Sequence, residues 1–203
     1  MKKTLLIIAA TFGLSMNAQD KGNFEFGFGG GLNRSSVSSD EGAADVSTSF
    51  NIHGSAEYYF SESWGIKAKL FYDRKGWDNG FIMDIDTMEE FATDYNFDYL
   101  TIPVMANWHF GNTENWYINF GPYAGFLLSA KETRFDTDLT DAFNGSDFGL
   151  AFGIGVKIPV SEYMKIYIDY DGQIGFSDVF DGQAEEHVGT TRDSFNVGIN
   201  FML

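Results

Sequence analysis

The chain has 203 residues, a formal net charge of −16, 17% aromatic residues, 23 glycines and no cysteine. The negative charge argues against a nucleic-acid partner, because such proteins need a basic face to displace counterions from phosphates. The lack of cysteine removes disulfides, thiol catalysis and cysteine metal sites from consideration.

Residues 1–18 are predicted to be a signal peptide. Lys2 and Lys3 supply its positive start, an apolar stretch follows, and a rough cleavage site ends at Ala18. The apolar stretch is shorter than the roughly 20 residues of a membrane-spanning helix. We therefore expect an exported chain with one mature domain, 19–203, whose charge is −18 once the two lysines are removed from the −16.

Eight stretches of the mature chain alternate between apolar and polar or small residues with a period of two, which predicts β-strands. In the first stretch, Phe24, Phe26 and Phe28 share one face, and Gly27 and Gly29 lie on the other. In chain order the stretches cover residues 23–33, 48–60, 64–73, 99–110, 116–131, 148–158, 164–176 and 195–203. Their lengths are close to the roughly 9 to 11 residues that a tilted strand needs to cross a bilayer.

The gaps between these stretches alternate between long and short. The long gaps are 34–47, 74–98, 132–147 and 177–194, and the short ones are 61–63, 111–115 and 161–163. An up-and-down antiparallel barrel in an outer membrane sorts its connections in this way, with tight turns in the periplasm and longer loops outside. We therefore expect an all-β, eight-stranded antiparallel transmembrane barrel with both termini in the periplasm.

Alternation alone fits a soluble, lipocalin-like barrel as well, because the apolar face is then a core and not a lipid belt. Three observations favour lipid: the polar face is crowded with small residues, large aromatics lie near the strand ends, and charges occur only on the polar face. The nine charges predicted to form a structural network inside the lumen are Glu25, Glu57, Lys67, Lys69, Asp73, Lys157, Lys165, Asp169 and Asp171. Opposite charges in a closed lumen neutralise one another when they are paired and hydrogen-bonded.

Several phrases of the sequence are similar to a known family. The phrases are "FGFGGGLN", "YLTIPVMANWHFGN", "WYINFGPYAGFLLSAK", "DFGLAFGIGVKI" and the terminal "FNVGINFML". Together they resemble the porin-like outer membrane protein beta-barrel domain family, often called PorT-like. The resemblance implies an eight-stranded barrel in a Gram-negative outer membrane, and it brings no catalytic residues. One departure is the C-terminus, which ends in Leu203 with Phe201 two residues earlier, where such barrels commonly end in an aromatic residue.

No catalytic, cofactor or metal site is expected. "GFGGG" has the wrong spacing for a dinucleotide-binding turn, and His53 and His109 are interpreted as lumen residues at different heights, with His187 in the last loop. The acidic clusters in the second and third long gaps are interpreted as solvated surface; they comprise Asp84, Asp86, Glu89, Glu90, Asp136, Asp138 and Asp141. Apolar residues in the second long gap are predicted to pack on the rim or to contact a partner; they are Phe81, Ile82, Met83, Ile85, Met88 and Phe91.

The resulting hypothesis is a monomeric, non-enzymatic barrel with a lumen filled by side chains and a structural or surface-interaction role. Eight strands leave room for little more than side chains, whereas open water channels need about 16. The alternatives are a narrow porin-like channel for small solutes, an accessory subunit of an envelope or secretion complex, and an enzyme at the outer rim. Expected partners are outer-membrane lipid and lipopolysaccharide, the barrel-insertion machinery, and an envelope protein bound through the acidic loops.

Overall fold

A computed structural model describes residues 21–39, 42–84, 87–179 and 188–203 of the chain. The predicted signal peptide lies outside these residues, as do Ile85, Asp86 and His187. Within the described part, no helix is long and apolar enough to cross a membrane.

The described chain is built almost entirely from antiparallel strands. They are β1 (Phe24–Ser39), β2 (Gly42–Ala43), β3 (Asp45–Tyr59), β4 (Trp64–Met83), β5 (Glu90–Phe110), β6 (Trp116–Glu132), β7 (Ser146–Pro159), β8 (Met164–Gly175) and β9 (Gly189–Met202). The two-residue β2 only extends the connection from β1 to β3, and a single 3-10 turn, Thr140–Ala142, follows β6. Each of the eight long strands pairs with the next along the chain, and β1 also pairs with β9, so the sheet closes. The predicted eight-stranded up-and-down barrel is confirmed.

The strands are tilted relative to the barrel axis, as closure requires. Following the residue pairings once round the barrel from Phe24 leads back to β1 at Arg34, ten residues further along the strand; the path passes through Tyr58, Ile66, Ala106, Phe120, Phe152, Gly172 and Asp193. For eight strands, this stagger corresponds to a tilt of roughly 40°. The interior of such a barrel is narrow enough for side chains to fill.

The strands extend well beyond their predicted ends on the long-loop side. β4 runs to Met83 and β5 starts at Glu90, so most of the predicted gap 74–98 is a β-hairpin and not a loop. β1, β3 and β9 are lengthened in the same direction. The prediction of loops there was wrong because the outward positions become polar above the belt, where water replaces lipid, and the apolar alternation therefore stops.

An apolar belt surrounds the barrel. Outward side chains such as Phe28, Leu32 and Ile52 are 59 to 68% exposed, as expected for residues that face lipid. At the short-turn end the rings of Trp64 and Trp108 stack 6.2 Å apart, which is typical of an interfacial girdle. At the edge of the belt nearer the long loops, the next outward-facing residues along the strands are charged. They are Arg34, Arg74, Asp98 and Asp193. Ten residues separate Trp64 from Arg74, a height of roughly 25 Å at this tilt, which matches the thickness of an outer-membrane belt.

Candidate functional site: the barrel lumen and the long-loop rim

The lumen contains equal numbers of buried carboxylates and cations. Below the rim, where Glu132 is buried separately, six acidic and six basic side chains of the described residues point inward, each at most 7% exposed; they are Glu25, Glu57, Asp73, Asp147, Asp169, Asp171, Lys67, Lys69, Lys75, Lys157, Lys165 and Arg192. All nine residues named from the sequence are among them. Because the two sets cancel, the net charge of the protein resides outside the lumen.

The layer nearest the short turns is centred on Lys157. Its ammonium donates to Glu25 and, at 2.9 Å, to Glu57. Lys165 lies 3.4 Å from the other oxygen of Glu25. Nε2 of His109 lies 2.6 Å from Glu57 Oε1. Two carboxylates, two ammonium groups and an imidazole therefore share one hydrogen-bonded cluster, in which each carboxylate has at least two polar partners.

A second layer lies above the first and is centred on Lys69. Its ammonium is 2.9 Å from Asp169 and 2.6 Å from Asp171, and the Asn196 amide donates to both carboxylates. The hydroxyl of Tyr117 donates to Asp169 at 2.8 Å. The ammonium of the neighbouring Lys67 lies over the Tyr117 ring, 4.6 Å from its centroid, a cation–π contact that offsets part of its desolvation.

Two further ion pairs lie towards the long loops. Arg192 donates from Nε to Asp73 Oδ1 at 3.2 Å, and its Nη2 lies 3.0 Å from the same oxygen as an ion pair. Lys75 lies 2.9 Å from Asp147 Oδ2, which also accepts from the hydroxyls of Tyr123 and Thr190 at 3.0 Å each. The charged layers thus continue to the end of the barrel.

Lys75, Asp147 and Arg192 were not predicted as lumen residues, because all three lie in predicted long gaps of the sequence. A signal was nevertheless present: Lys75 is two residues beyond Asp73, and Arg192 is two residues before the buried Ser194, so each keeps the inward parity of its strand. Extending that parity without requiring an apolar outer face would have found them.

The histidines belong to different layers of the lumen. His53 contacts the Tyr167 hydroxyl at 2.6 Å and the Asn51 amide oxygen at 2.9 Å, whereas His109 contacts Glu57. Among the described residues there is no group of three or more histidines or carboxylates placed to hold a metal ion.

Glycines make room for this polar filling. A methyl group at Gly29 would overlap the Tyr167 hydroxyl, and one at Gly27 or Gly31 would overlap the amide of Asn200 or Asn196. Large side chains on β8 and β9 therefore occupy the space that β1 leaves empty. In β1, the alternating phenylalanines therefore face lipid, and the glycines between them line the lumen without filling it.

An aromatic cluster covers the charged layers at the long-loop end; we call it the plug. It comprises Trp77, Tyr95, Phe97, Tyr99, Ala130, Phe143 and Val179. Trp77 stacks on Tyr95 at 4.7 Å, and Phe143 meets Phe97 edge-on at 4.7 Å. Phe143 and Val179 come from the connections after β6 and β8, which are joined by the Asn144 N–H donating to the Val179 carbonyl at 2.9 Å.

Little space remains beneath the plug. A cavity lined by Lys75, Trp77, Phe97 and Thr190, among others, has a volume of about 10 Å³, which is about the size of one water probe. The ion pairs below and the plug above therefore meet almost without a void.

At the rim, the Glu132 carboxylate organises the connection that follows β6. It accepts backbone N–H groups of Phe135 and Thr137, each at 2.9 Å from Oε1, and the Thr93 hydroxyl at 2.8 Å. Burial alone would raise the pKa of Glu132, but these hydrogen bonds outweigh burial and lower it to about 2. The carboxylate thus accepts hydrogen bonds from backbone N–H groups of the turn in place of backbone carbonyls.

The tip of the β4–β5 hairpin presents apolar side chains to solvent. Phe81 is 70% exposed and Met88 is 71% exposed, whereas Phe91 packs edge-on against Phe135 at 5.6 Å. The sequence predicted that these apolar residues pack on the rim or contact a partner. Phe91 packs on the rim, whereas the side chains at the tip of the hairpin are exposed.

The chain is similar to known outer-membrane proteins. A family model described as "Outer membrane protein beta-barrel domain" matches residues 17–181, which is most of the chain. Among curated proteins, none matches the sequence significantly.

Solved structures resemble the fold. The outer membrane protein OprG from Pseudomonas aeruginosa aligns with a TM-score of 0.56 and 12% identity, covering 91% of this chain and 97% of that chain. Neisserial surface protein A aligns with a TM-score of 0.50 and 16% identity, over 87% and 96% of the two chains. Ail of Yersinia pestis, in complex with the heparin analogue sucrose octasulfate, gives a TM-score of 0.48 at 18% identity, over 91% and 100%. At these identities the likeness concerns the fold alone.

Proposed function

Because the chain belongs to the outer membrane protein beta-barrel domain family, we propose that it is an integral, non-enzymatic barrel of the outer membrane with a filled, non-conducting lumen. Its role is structural or lies in interactions at the cell surface. Within the family we assign it to the PorT-like, eight-stranded group, on the phrases "YLTIPV" and "GPYAGFLLSAK". The nine charges named from the sequence act as a structural network, not as a transport or catalytic site.

The observation that carries this proposal is the continuous filling of the lumen. In the described part of the lumen below the plug, six carboxylates and six cations are buried, the aromatic plug covers them, and the cavity between the two has a volume of about 10 Å³. An open solute path needs a continuous water column, which such packing does not leave.

Planar-bilayer recording tests the proposal directly. We expect no stepwise openings from the purified, refolded protein, and stable unitary steps would favour the narrow channel instead. The same sample must show heat-dependent mobility in an unboiled gel, which establishes that a folded barrel was measured. Hydrolase and acyltransferase assays on that sample address the rim-enzyme alternative.

We propose that the long-loop rim faces outwards and that both termini lie in the periplasm. The chain lacks cysteine, so a single introduced cysteine reports its own side of the membrane. Thr87→Cys at the hairpin tip is expected to react with a membrane-impermeant maleimide on intact cells, whereas Ser161→Cys in a short turn is expected to react only after lysis. The reverse pattern would invert the orientation.

A second candidate role is that of an accessory subunit in an envelope complex. It is favoured by the exposed Phe81, Met83 and Met88 at the hairpin tip, since exposed apolar clusters commonly mark interaction sites. Cross-linking in native envelopes with the wild type and with a Phe81→Ser, Met88→Ser variant tests it. A cross-linked partner that disappears in the variant supports the role, and identical patterns count against it.

The remaining proposals concern biogenesis and oligomeric state. We propose that residues 1–18 are cleaved as a signal peptide, that the insertion machinery recognises β9 through Phe201, and that the barrel is a monomer. N-terminal sequencing of the mature protein and its mass in detergent check the first and the last of these.

A further inference from the structure

The edge of β5 is left unpaired at the top of the β4–β5 hairpin. Ladder pairing between β5 and β6 ends at Tyr95 and Glu132. One residue further, the Asp94 carbonyl accepts the Thr133 N–H at 3.0 Å, and the Asp94 N–H donates to the Thr133 hydroxyl at 3.3 Å. Beyond Asp94, no strand of the described residues pairs with this side of β5, although β5 stays paired with β4 to its first residue. We call this stretch, residues 90–92, the open edge.

The backbone groups of Glu90 and Ala92 point towards the open edge. Along an antiparallel strand, every second residue directs its N–H and C=O to the same side, and Asp94 directs both groups away from β4. Glu90 and Ala92 therefore do the same, and their pairs with Met83 and Phe81 on β4 are the ones that exchange no backbone hydrogen bonds. An edge with free N–H and C=O groups is a template for a further strand.

The other edge of the hairpin is partly occupied. The Phe81 carbonyl of β4 accepts the Tyr95 hydroxyl at 2.7 Å, and by the same alternation this carbonyl faces away from β5. Gly80 leaves space for the contact, since a methyl group there would lie 2.6 Å from the Tyr95 ring. A further strand thus finds more free backbone groups at β5 than at β4.

The side chains along the open edge alternate between two faces. Glu90, Ala92 and Asp94 lie on one, the solvent face, and Phe91 lies on the other, the rim face. Beside the edge, Phe135 is 49% exposed. It lines a recess of about 600 Å³ together with Ala92 and Asp94, among others. The recess lies where β6 has left β5, in the path of a strand added at this edge.

The hairpin is acidic along its whole length. No Lys or Arg occurs from residue 76 to residue 130. The described acidic residues of the hairpin above the barrel are Asp78, Asp84, Glu89, Glu90 and Asp94. Arg134, from the following connection, lies over the Phe91 ring at 4.6 Å, on the rim face, so the solvent face keeps its negative charge. Opposite charges on directly facing strand residues stabilise a pair, and a complementary strand therefore carries basic side chains on the solvent face.

We propose that the open edge of β5 binds an extended segment of a partner protein by strand addition, and that this segment alternates basic and apolar side chains. Its backbone pairs with Glu90 and Ala92. Its basic side chains meet Glu90 and Asp94 on the solvent face, and its apolar side chains pack against Phe91 and Phe135. In such complexes main-chain hydrogen bonds give affinity and alternate side chains give specificity. The inference rests on the proposed surface-interaction role, and it adds a site separate from the exposed apolar tip of the hairpin.

Titration of defined peptides onto the folded protein in phosphatidylcholine nanodiscs tests the proposal. The probes are a short peptide that alternates Lys and Val, a peptide of the same composition with the two residue types in separate blocks, and a peptide that alternates Glu and Val. The block peptide controls for simple attraction between a basic peptide and an acidic protein. We expect the alternating Lys peptide to bind about tenfold more tightly than the other two. It should also protect the Ala92 amide from hydrogen exchange.

Two substitutions at the open edge have matched controls on the same hairpin. Ala92→Pro removes the edge N–H without removing a hydrogen bond to β4, and Met83→Pro does the same at the opposite edge. Glu90→Lys reverses a charge on the solvent face, and Glu89→Lys makes the same change of net charge on the other face. We expect about tenfold weaker binding of the alternating Lys peptide for Ala92→Pro and Glu90→Lys, and about a twofold change at most for the controls. Glu90→Lys should also strengthen binding of the alternating Glu peptide.

Any one of three results overturns the proposal: equal binding of the alternating and block Lys peptides, no protection of the Ala92 amide, or equal losses for Met83→Pro and Ala92→Pro. Wild-type dimers that Ala92→Pro abolishes would identify a second copy of this chain as the occupant and overturn the proposed partner.

Folding of every variant is checked by heat-dependent gel mobility. Glu90→Lys changes no backbone group, so it still decides the question if a proline disrupts the hairpin. Absence of peptide binding with a silent bilayer leaves the filled, non-conducting barrel standing, whereas conductance with intact peptide binding overturns the proposed lumen alone.

Discussion

The buried ammonium of Lys157 shows how single residues hold the lumen together. It contacts Glu25 and Glu57, and all three side chains are at most 3% exposed. Taking such charges out of water is costly, and their mutual attraction offsets this cost only while the set is complete. Removal of one member is therefore worse than its own contacts suggest, because two carboxylates remain buried with one partner fewer.

Lys157→Met is expected to lower the free energy of unfolding by about 3 to 5 kcal/mol, the range for breaking a buried ion pair. Adding Glu57→Gln to that variant should restore part of the loss, because it removes one of the carboxylates left behind. Urea unfolding in lipid vesicles measures both. The matched control is Lys21→Met, at an exposed position before β1, which should change stability by less than about 0.5 kcal/mol. A Lys157→Met loss no larger than that of the control would contradict the network's structural role.

Gly29→Ala is expected to destabilise the barrel by about 1 to 3 kcal/mol, the usual cost of overpacking. Its new methyl group would overlap the Tyr167 hydroxyl and lie 2.8 Å from the Val197 carbonyl oxygen, so both the side chain and the neighbouring strand must move. Gly54→Ala is the control, because the same change there meets only ordinary van der Waals distances. The urea midpoint of unfolding should be lower for Gly29→Ala than for Gly54→Ala. Equal midpoints would show that the lumen has room for a methyl group at this position.

Most of the strand structure could be predicted from the sequence. Alternation identified all eight long strands and the inward face of each, because lipid on one side and a narrow polar lumen on the other impose a strict period of two. It did not reveal that β4 and β5 continue above the membrane. There Trp77, Tyr95 and Phe97 point inward, so the apolar face changes sides and the same period carries the opposite meaning.

The candidate site, too, was predictable from the sequence only in part. The position of Glu25 on the inner face followed from parity, but its particular partners did not, because a pairing across the lumen depends on the stagger of the whole barrel. The plug was not predictable either, since Phe143 and Val179 come from connections without a regular pattern. Long-range packing of irregular segments leaves no periodic trace in a sequence.

Acid is expected to loosen the connection that follows β6. The Glu132 pKa, lowered to about 2 from 4.5, means that the carboxylate stabilises the folded connection fully above about pH 4.5 and that this contribution is lost as the pH falls through about 2. Hydrogen exchange at the Phe135 and Thr137 amides measures the effect. Their protection should fall in acid, while that of the barrel strand amides changes less.

Glu132→Gln should mimic this acid effect at neutral pH. An amide has one acceptor oxygen and no charge, so it cannot reproduce the contacts to Thr93, Phe135 and Thr137, and a loss of about 1 to 3 kcal/mol is expected for that segment. Glu114→Gln in the turn between β5 and β6 serves as a control away from this connection. Unchanged protection at Thr137 in the Glu132 variant would show that the backbone alone maintains the turn.

The lumen and the outer surface of the protein differ in net charge. Below the rim, the described lumen residues include six buried charges of each sign, so the excess of acidic over basic residues in the chain belongs to the outer surface, the rim and the connections. A field of this sign at the rim repels soluble anions and steers cationic partners, with an effect that weakens in salt. Neutrality inside and charge outside are what a stable filled barrel with an interacting rim requires.

The lumen is closed by two barriers in series, and this gives a test that separates a plugged barrel from a gated channel. Trp77→Ala with Phe97→Ala and Phe143→Ala removes three of the five aromatic rings of the plug and leaves the charged layers at Asp73, Asp169 and Glu25 in place. In a gated channel such a variant conducts. In a filled barrel it stays silent in planar bilayers, because the ion pairs below still occupy the lumen, and only its stability falls, by several kcal/mol for the lost aromatic packing. If the triple variant does not insert, Phe143→Ala alone is recorded instead, since that ring comes from a connection and not from a strand; the other rings of the plug then remain, so only conductance from this variant decides. Stepwise conductance from either folded variant would make the plug a gate and the lumen a path.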